Sequence, residues 1–354
     1  MAEPELNPDP SSTFTVMSDG FFRALETCPG EFREFVLKFA DQPVKLSVVG
    51  AELADRIVRP FAHLVSDEAA GTATRLTVEL WDRYATGIGI DEIPESDADY
   101  LEQSSASDRD RRVTVHRHRD STLCFDPVGS RLIGGFSRAE DLSLYEMGRP
   151  LHAPLALWHN EQDVPIVHAG LVAGNGKGVL FAGPAGVGKS TCAVTCLMRG
   201  FSYLSDDLIG LQSEADGTFR GHSVYNSTYF ERAHLARFPL LAPHAIESRY
   251  ENEDKLLVLL SDVFPSRIER STRIDAVVLP ELGDETPSTF RPVSSGGALL
   301  ALAPHSLKVN RNLGSRGFDK LARLAEGTPA YHLRLGSDLA GIPAAVEELL
   351  EEVG

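Results

Sequence analysis

The stretch that decides the fold is residues 178–211, GVLFAGPAGVGKSTCAVTCLMRGFSYLSDDLIGL. It opens with a short apolar run, residues 178–182, of the kind that forms a buried strand. Residues 183–190 follow at once and match the pattern G-x-x-x-x-G-K-S of a phosphate-binding loop. Residues 191–199 then predict a helix, with Gly200 as its stop signal. The stretch therefore predicts a strand, a phosphate loop and a helix in succession, as in nucleotide-binding α/β domains.

Each residue type in this loop suits the binding of a nucleotide. Glycines let successive backbone N–H groups turn toward a phosphate, and Lys189 adds a positive charge at the β- and γ-phosphates. Ser190 offers its hydroxyl to Mg²⁺, and the start of the following helix favours an anion. The predicted cofactors are therefore ATP and Mg²⁺. The residues predicted to bind the nucleotide are Gly183, Pro184, Ala185, Gly186, Val187, Gly188, Lys189, Ser190 and Thr191.

Two adjacent acids, Asp206 and Asp207, follow the next predicted strand, residues 201–204. A single acid after such a strand is the usual metal ligand of a phosphate-loop enzyme. Two acids allow a division of labour, in which one holds the metal and the other takes the proton from an acceptor hydroxyl. A metal ligand followed by an acid that only caps the next turn is the alternative interpretation.

A histidine upstream is expected near the same edge of the sheet. Residues 165–173 predict a strand, and residues 174–176 predict a hairpin turn that leads into the strand before the loop. This hairpin places His168 close to the predicted phosphate site. A histidine on an apolar strand is often a hydrogen-bonded core residue, but the neighbouring motifs favour a functional role for His168.

The order and spacing of these residues resemble the core of the HPr kinase/phosphorylase family. The fold of that family is similar to that of ATP-dependent phosphoenolpyruvate carboxykinase. In the family a histidine precedes a phosphate loop, and a helix ending in Arg-Gly leads to a strand ending in Asp-Asp. The resemblance implies an α/β fold with a mixed central sheet and ATP-dependent phosphoryl transfer. It is carried by His168, the phosphate loop, Arg199, Gly200, Ser205, Asp206 and Asp207.

The resemblance also implies roles for single residues. It makes Asp206 the base toward the acceptor hydroxyl, gives Asp207 a role in holding the metal, and has His168 tune Asp206. A later run, residues 308–313, resembles a Lys-Val-Gly-Arg-Asn run of the family. It implies that Arg311 faces the transferring phosphoryl group, where a planar guanidinium suits the oxygens. A surface arginine in a turn is an equally open interpretation.

The sequence departs from the family where the acceptor is concerned. A Glu-x-Arg-Gly-Leu-Gly run, the family's signature for the loop that meets the HPr protein, does not occur in it. The resemblance is therefore closer to HPr-kinase-like proteins found with natural-product gene sets. The predicted acceptor is a hydroxyl of a peptide, a protein or a small molecule. Two alternatives stay open: a nucleotide-dependent switch module with little turnover, and a carboxykinase-like phosphoryl-transfer enzyme.

The length of 354 residues predicts about two domains. Residues 1–12 are proline-rich and acidic and predict a disordered tail. Residues 13–150 predict an α+β N-terminal domain of unknown role, and residues 151–354 a kinase-like domain with the phosphate loop. In the N-terminal part, aromatic residues at helical spacing predict that residues 18–40 are mostly helical. His116 and His118 fall on one strand face without a third ligand, so we expect them to be exposed.

Charge and cysteine usage limit the partners and the compartment. The formal net charge of −17 argues against nucleic acid and against an anionic membrane surface as partners. The 4 cysteines form no metal-binding pattern, and no apolar run approaches the roughly 18 residues of a membrane span. We therefore expect a soluble, reduced, cytoplasmic protein, and the sequence leaves a homo-oligomer open.

Overall fold

The computed structural model describes residues 9–66, 73–89, 104–107, 113–250, 254–283, 287–310 and 312–353. The protein is a mixed α/β protein that divides into two units. The N-terminal unit contains residues 1–59, 64–158 and 249–251, and the C-terminal unit contains residues 60–63, 159–248 and 252–354. The division at residue 158 lies beyond the predicted boundary at 150. The first helix begins at Pro10, inside the predicted 1–12 tail, because Asp9 caps its N-terminus; residues 1–8 lie outside the described residues.

The N-terminal unit is built on a mixed sheet. Its strands are β1 (Phe32–Phe39), β2 (Gln42–Val49), β3 (Leu76–Asp82), β4 (Ser104–Ser107), β5 (Thr114–Arg117), β6 (Ser121–Asp126) and β7 (Arg131–Phe136). Among the described residues their order is β1-β2-β3-β7-β6-β5-β4, and the pairs β2–β3 and β3–β7 are parallel. Its helices are α1 (Pro10–Thr27), α2 (Ala51–Val58), α3 (Arg83–Thr86), α4 (Leu144–Gly148) and α5 (His152–Glu161), and the two units divide within α5.

The prediction that residues 18–40 are mostly helical is wrong for their second half. Helix α1 ends at Thr27, and β1 pairs antiparallel with β2 along its whole length. Ala40 and Asp41, which join these strands, have φ of 45° and 61°, as both central residues of a tight type I′ turn require. Aromatic residues fit a strand as well as a helix, and the partner strand decides between the two.

A buried group of polar side chains, the N-terminal polar cluster, lies in this unit and consists of His116, His118, Asp120, Ser121 and Glu146. His116 is only 5% exposed and the side chain of His118 only 10%, so the prediction of exposed histidines is wrong. Burial lowers the pKa of His116 and that of His118 to about 4. Burial and the charge of Asp120 raise the pKa of Glu146 to about 8, against a hydrogen bond from Ser121 Oγ. The cluster is therefore neutral near pH 7 at both histidines and at Glu146.

The C-terminal unit is built on a second mixed sheet. Its strands are β8 (Ile166–His168), β9 (Gly170–Gly174), β10 (Lys177–Phe181), β11 (Ser202–Ser205), β12 (Leu208–Ser213), β13 (Phe219–Ser223), β14 (Ser227–Glu231), β15 (Ile246–Glu247), β16 (Lys255–Leu259), β17 (Ser271–Leu282), β18 (Thr289–Val293) and β19 (Ala330–Leu335). Its helices are α6 (Lys189–Arg199), α7 (Arg232–Leu235), α8 (Ser295–Val309), α9 (Gly314–Gly327) and α10 (Gly341–Glu352).

Two sheets make up this unit in the part of the chain that the structure describes. The main one has the order β11-β9-β10-β17-β13-β12-β8, with β19 added to β17 and β18 to β19. The pairs β10–β17 and β17–β19 are parallel, which makes this a mixed sheet. Strands β14, β16 and β15 form the small second sheet.

Helices cover both faces of the main sheet. Val179 and Phe181 of β10 pack in one core with residues of α6 and α10, and Leu180 packs in another with residues of α8 and α9. Successive side chains of a strand point to opposite faces. A strand that is covered on both faces therefore needs an unbroken apolar sequence, which is why residues 178–182 are apolar throughout.

The described helices include none with both the length and the apolar character needed to cross a bilayer. Cys28, Cys124, Cys192 and Cys196 are free thiols.

Candidate functional site

A glycine-rich loop, residues 183–188, connects β10 to α6 as the sequence predicts. Gly183, Gly186 and Gly188 have φ of 139°, 84° and 106°, a range that side chains with a Cβ rarely adopt. A Cβ on Gly188 would also lie 2.5 Å from Leu335 Cδ1. Helix α6 ends at the predicted stop, where Gly200 has φ of 127°. The backbone conformation thus requires glycine at these three positions of the loop.

Lys189 is the first residue of α6 and contacts the glycine-rich loop. The residue is 6% exposed, and its Nζ donates hydrogen bonds to the carbonyl oxygens of Gly183 at 2.9 Å and Pro184 at 3.0 Å. Burial lowers the pKa of Lys189, whereas the charges of Asp207 and Asp206 act in the opposite direction. The ammonium group therefore lies inside the glycine-rich loop and within electrostatic reach of both acids.

The acid pair Asp206 and Asp207 lies in the tight connection between β11 and β12. Ser205 Oγ shapes this turn by accepting hydrogen bonds from the backbone N–H of Asp207 at 3.0 Å and of Leu208 at 2.9 Å. A Cβ on Gly170 would come within 3.3 Å of the carbonyl oxygen of Asp206. The glycine at the start of β9 thus lets the acid pair approach that strand closely.

The two acids have different surroundings. Asp206 is 3% exposed, and its carboxylate accepts hydrogen bonds from Tyr203 Oη at 3.1 Å and Thr228 Oγ1 at 2.7 Å. The side chain of Asp207 is 21% exposed, and its Oδ1 lies 2.8 Å from His168 Nε2. Asp206 is thus enclosed by two hydroxyls, whereas Asp207 is paired with a histidine and reaches solvent.

The resemblance implies that His168 acts on Asp206, whereas in the structure His168 contacts Asp207. The cause is strand pairing. The predicted strand 165–173 is divided at Ala169, and its first part, β8, pairs with β12 so that His168 lies opposite Leu208. Only the second part, β9, forms the predicted hairpin with β10. The register of β8 against β12 brings His168 next to the residue that precedes Leu208.

Helix α8 contributes two residues that sequence reasoning did not find. Ser306 is fully buried, and its hydroxyl accepts a hydrogen bond from the backbone N–H of His168 at 3.1 Å. The rings of His305 and His168 have centroids 5.5 Å apart. Burial and the charges of His168, Lys189 and Lys308 lower the pKa of His305. No motif marks these residues, because they lie far along the chain in a mainly apolar helix.

Arg311, predicted to face the phosphoryl group, lies outside the described residues. Its neighbours attach this part of the chain to β8. Asn310 Nδ2 donates to the carbonyl oxygen of Ile166 at 3.2 Å, and Asn310 and Asn160 exchange amide hydrogen bonds. Asn160 Nδ2 also donates to the carbonyl oxygen of Asn312 at 3.1 Å. The run that resembles the family, residues 308–313, therefore ends beside β8, the strand that carries His168.

The oxygen atoms of the acid pair and of Ser190 are of the kind that Mg²⁺ takes as ligands. Within the described ranges, no group of three or more His, Cys, Asp or Glu side chains is arranged to hold a metal ion. Magnesium needs no such cage, since it usually binds one or two carboxylates and completes its shell with phosphate oxygens and water. A carboxylate of the acid pair together with the hydroxyl of Ser190, in the first turn of α6, supplies suitable ligands.

Comparison with known proteins finds similarity to solved structures. The solved structure of the HPr(Ser) kinase/phosphatase from Coxiella burnetii matches 53% of this chain and 99% of that chain, at 14% sequence identity and a TM-score of 0.29. No family model matches the chain. No curated protein matches it either.

Proposed function

We propose that the protein is an ATP- and Mg²⁺-dependent phosphotransferase that acts on an alcohol hydroxyl of a peptide, protein or small molecule. One observation carries the proposal: Lys189, buried in a glycine-rich loop, lies within electrostatic reach of an acid pair, one member of which contacts His168 at 2.8 Å. A nucleotide switch needs a metal ligand but no base for an acceptor. The second acid and its histidine therefore favour transfer over switching.

The reaction exchanges one bond at phosphorus for another. The acceptor oxygen forms a bond to the γ-phosphorus, and the bond from that phosphorus to the β–γ bridging oxygen breaks. The proton of the acceptor hydroxyl passes to a carboxylate of the acid pair, and ADP leaves with the bridging oxygen's electron pair. Bound Mg²⁺ would neutralise charge that develops on the β- and γ-phosphate oxygens. Lys189 and the backbone N–H groups of the loop hold these same oxygens.

The resemblance assigns the base to Asp206 and the metal to Asp207, and the contacts favour the exchanged roles. A base must reach the acceptor, and Asp207 is the acid with solvent access. A metal ligand can be enclosed, and the hydroxyls of Tyr203 and Thr228 hold the Asp206 carboxylate in one orientation, as hydrogen bonds to ligating carboxylates usually do. We therefore assign proton transfer to Asp207 and magnesium binding to Asp206 and Ser190.

Three further residues position these groups. His168 holds the Asp207 carboxylate through a hydrogen bond from Nε2, which requires that this nitrogen carry a proton. Ser306 fixes the backbone at His168, and His305 restricts the imidazole by ring contact. Arg311 is assigned to the transferring phosphoryl group on the resemblance alone.

The decisive experiment incubates the purified protein with Mg·ATP and candidate acceptors and measures the mass gain of one phosphoryl group. Peptides that bear serine or threonine, and polyols, are compared with purified HPr protein. We expect transfer to a peptide or small-molecule hydroxyl and none to HPr. ATP binding without transfer to any acceptor would favour the switch alternative. Efficient transfer to HPr alone would show that the acceptor is misassigned.

A further inference from the structure

A pocket of about 300 Å³ adjoins the glycine-rich loop on one side. Gly186, Gly188 and Thr191 form the wall that it shares with the loop, and Leu282 and Leu339 contribute apolar surface to the other walls. The volume is at the lower end of the range for small-molecule sites. Asp206, Asp207 and His168 are not among its lining residues in the described part of the chain. The pocket is therefore separate from the acid pair but continuous with the loop.

Polar side chains from α7 and the segment after it converge on this pocket. Thr191 Oγ1 and His234 Nε2 are 3.2 Å apart, which ties the first turn of α6 to α7. The His234 ring stacks on Phe238 at 5.5 Å with an interplanar angle of 7°. Arg237 Nη2 donates to the carbonyl oxygen of Ser337 at 3.4 Å, and both residues line the pocket. A histidine fixed in this way gives the pocket a rigid polar wall beside the loop.

These features match the nucleoside part of a nucleotide, that is, its ribose and base. The γ-phosphate must lie toward Lys189 and the acid pair, since transfer takes place there. The rest of the donor then leaves the loop where Gly188 and Thr191 line it, at the N-terminal turn of α6. Apolar walls with a few polar groups and an exposed guanidinium suit a ribose and a flat, hydrogen-bonding base.

We propose that this pocket binds the nucleoside of the phosphoryl donor, so that the donor is a nucleoside triphosphate and not inorganic pyrophosphate. The inference rests on the proposed function and extends it from the phosphates to the base and ribose. Leu282 and Leu339 contact the base, Arg237 covers its open face, and His234 holds the wall nearest the α-phosphate. Pyrophosphate would use the loop alone and leave the pocket unused.

The test measures the affinities of Mg·ATP, Mg·GTP and Mg·pyrophosphate by titration calorimetry at one ionic strength. In the variant Ser337→Trp, an indole placed at an exposed position fills the pocket, and Ser337→Ala at the same position is the matched control. We expect Ser337→Trp to weaken nucleotide binding about tenfold or more, equivalent to ~1.4 kcal/mol, with pyrophosphate binding unchanged. Arg237→Ala should weaken nucleotide binding to a lesser degree, again without effect on pyrophosphate.

The outcomes separate this inference from the proposed function. Equal weakening of nucleotide and pyrophosphate binding in Ser337→Trp, or no weakening of either, overturns the pocket assignment and leaves the kinase proposal standing. Failure of the parent protein to bind ATP or pyrophosphate overturns both. Thermal unfolding of Ser337→Trp is compared with that of Ser337→Ala. If the tryptophan variant is unfolded, Leu282→Asp replaces it, since that side chain is 70% exposed on another wall of the pocket.

Discussion

The C-terminal loop region and the N-terminal polar cluster both enclose histidines and carboxylates, but in opposite ways. In the cluster, His118 Nδ1 is 4.0 Å from Glu146 Oε1, and burial lowers the pKa of the histidine and raises that of the acid, so both are neutral. In the loop region, His168 Nε2 is 2.8 Å from Asp207 Oδ1, and Lys189 lies nearby. Burial of a titratable group therefore does not by itself indicate catalysis; what distinguishes the His168–Asp207 pair is the nearby Lys189 and the partial solvent exposure of Asp207.

The largest effect should follow from removing the ammonium group of the loop. In Lys189→Ala we expect phosphoryl transfer to fall by about 10³-fold, since one charge at the reacting phosphate contributes on this scale. Mg·ATP affinity should also fall, and the far-ultraviolet circular dichroism should not change. Lys255→Ala, at an exposed lysine, is the control. Unchanged ATP affinity and turnover in Lys189→Ala would mean that the loop region, like the N-terminal polar cluster, has no role in transfer.

The next largest effects should distinguish the roles of Asp206 and Asp207. Asp207→Asn should reduce the transfer rate by about 10²-fold or more while Mg·ATP binding stays near normal, the range for a lost general base. Asp206→Asn should instead raise the Mg²⁺ concentration needed for half-maximal activity, since a metal ligand loses its charge. The rate is measured against Mg²⁺ for both variants. The mirror image of these results would restore the roles that the resemblance implies, and two silent variants would favour a switch.

His168 should have a smaller effect. In His168→Ala we expect kcat to fall about tenfold with the KM for ATP unchanged, because Asp207 loses the group that orients it but the loop is intact. His168→Gln should recover part of the rate, since an amide can donate the same hydrogen bond. His305→Ala should lower kcat less than His168→Ala does. A purely structural His168 would instead lower the thermal midpoint in both His168 variants without a selective effect on kcat.

The N-terminal polar cluster should affect stability and leave activity unchanged. Because the pKa of Glu146 is raised to about 8 from its ordinary 4.5, its neutral form stabilises the fold at low pH, and this contribution is lost as pH rises from about 4.5 to about 8. In Glu146→Gln the free energy of unfolding should therefore decrease less over this pH range, by on the order of a few kcal/mol.

The measurement for Glu146→Gln is denaturant unfolding at several pH values in this window. His116 and His118 act in the opposite direction: their neutral forms stabilise the fold above pH 6.5, and this is lost as pH falls toward about 4. The difference between parent and variant therefore isolates Glu146. Glu140→Gln, at an exposed carboxylate, is the control. A change in transfer rate at constant stability would mean that the cluster belongs to the site after all.

Much of the site could be predicted because its signals are local. The loop conformation follows from glycines at positions 183, 186 and 188, and the turn at Asn175 and Gly176 from residues that tolerate the left-handed backbone, with φ of 53° and 77°. The position of the acid pair is also a local signal, because Asp206 and Asp207 directly follow the short strand β11. The donors on Asp206 come from Tyr203, three residues earlier, and from Thr228, on a strand of the other sheet, which no local pattern marks.

The sequence by itself determined the strand, loop and helix from residue 178 to 199, because apolar runs and glycines act on their immediate neighbours. Only the tertiary structure decided which acid His168 contacts, since one register of β8 against β12 selects Asp207. It also decided that residues 32–39 form a strand and that His116 is buried. The physical reason is the same in each case. Strand pairing and burial depend on residues distant in the chain, whose contributions exceed the weak preferences of a local segment.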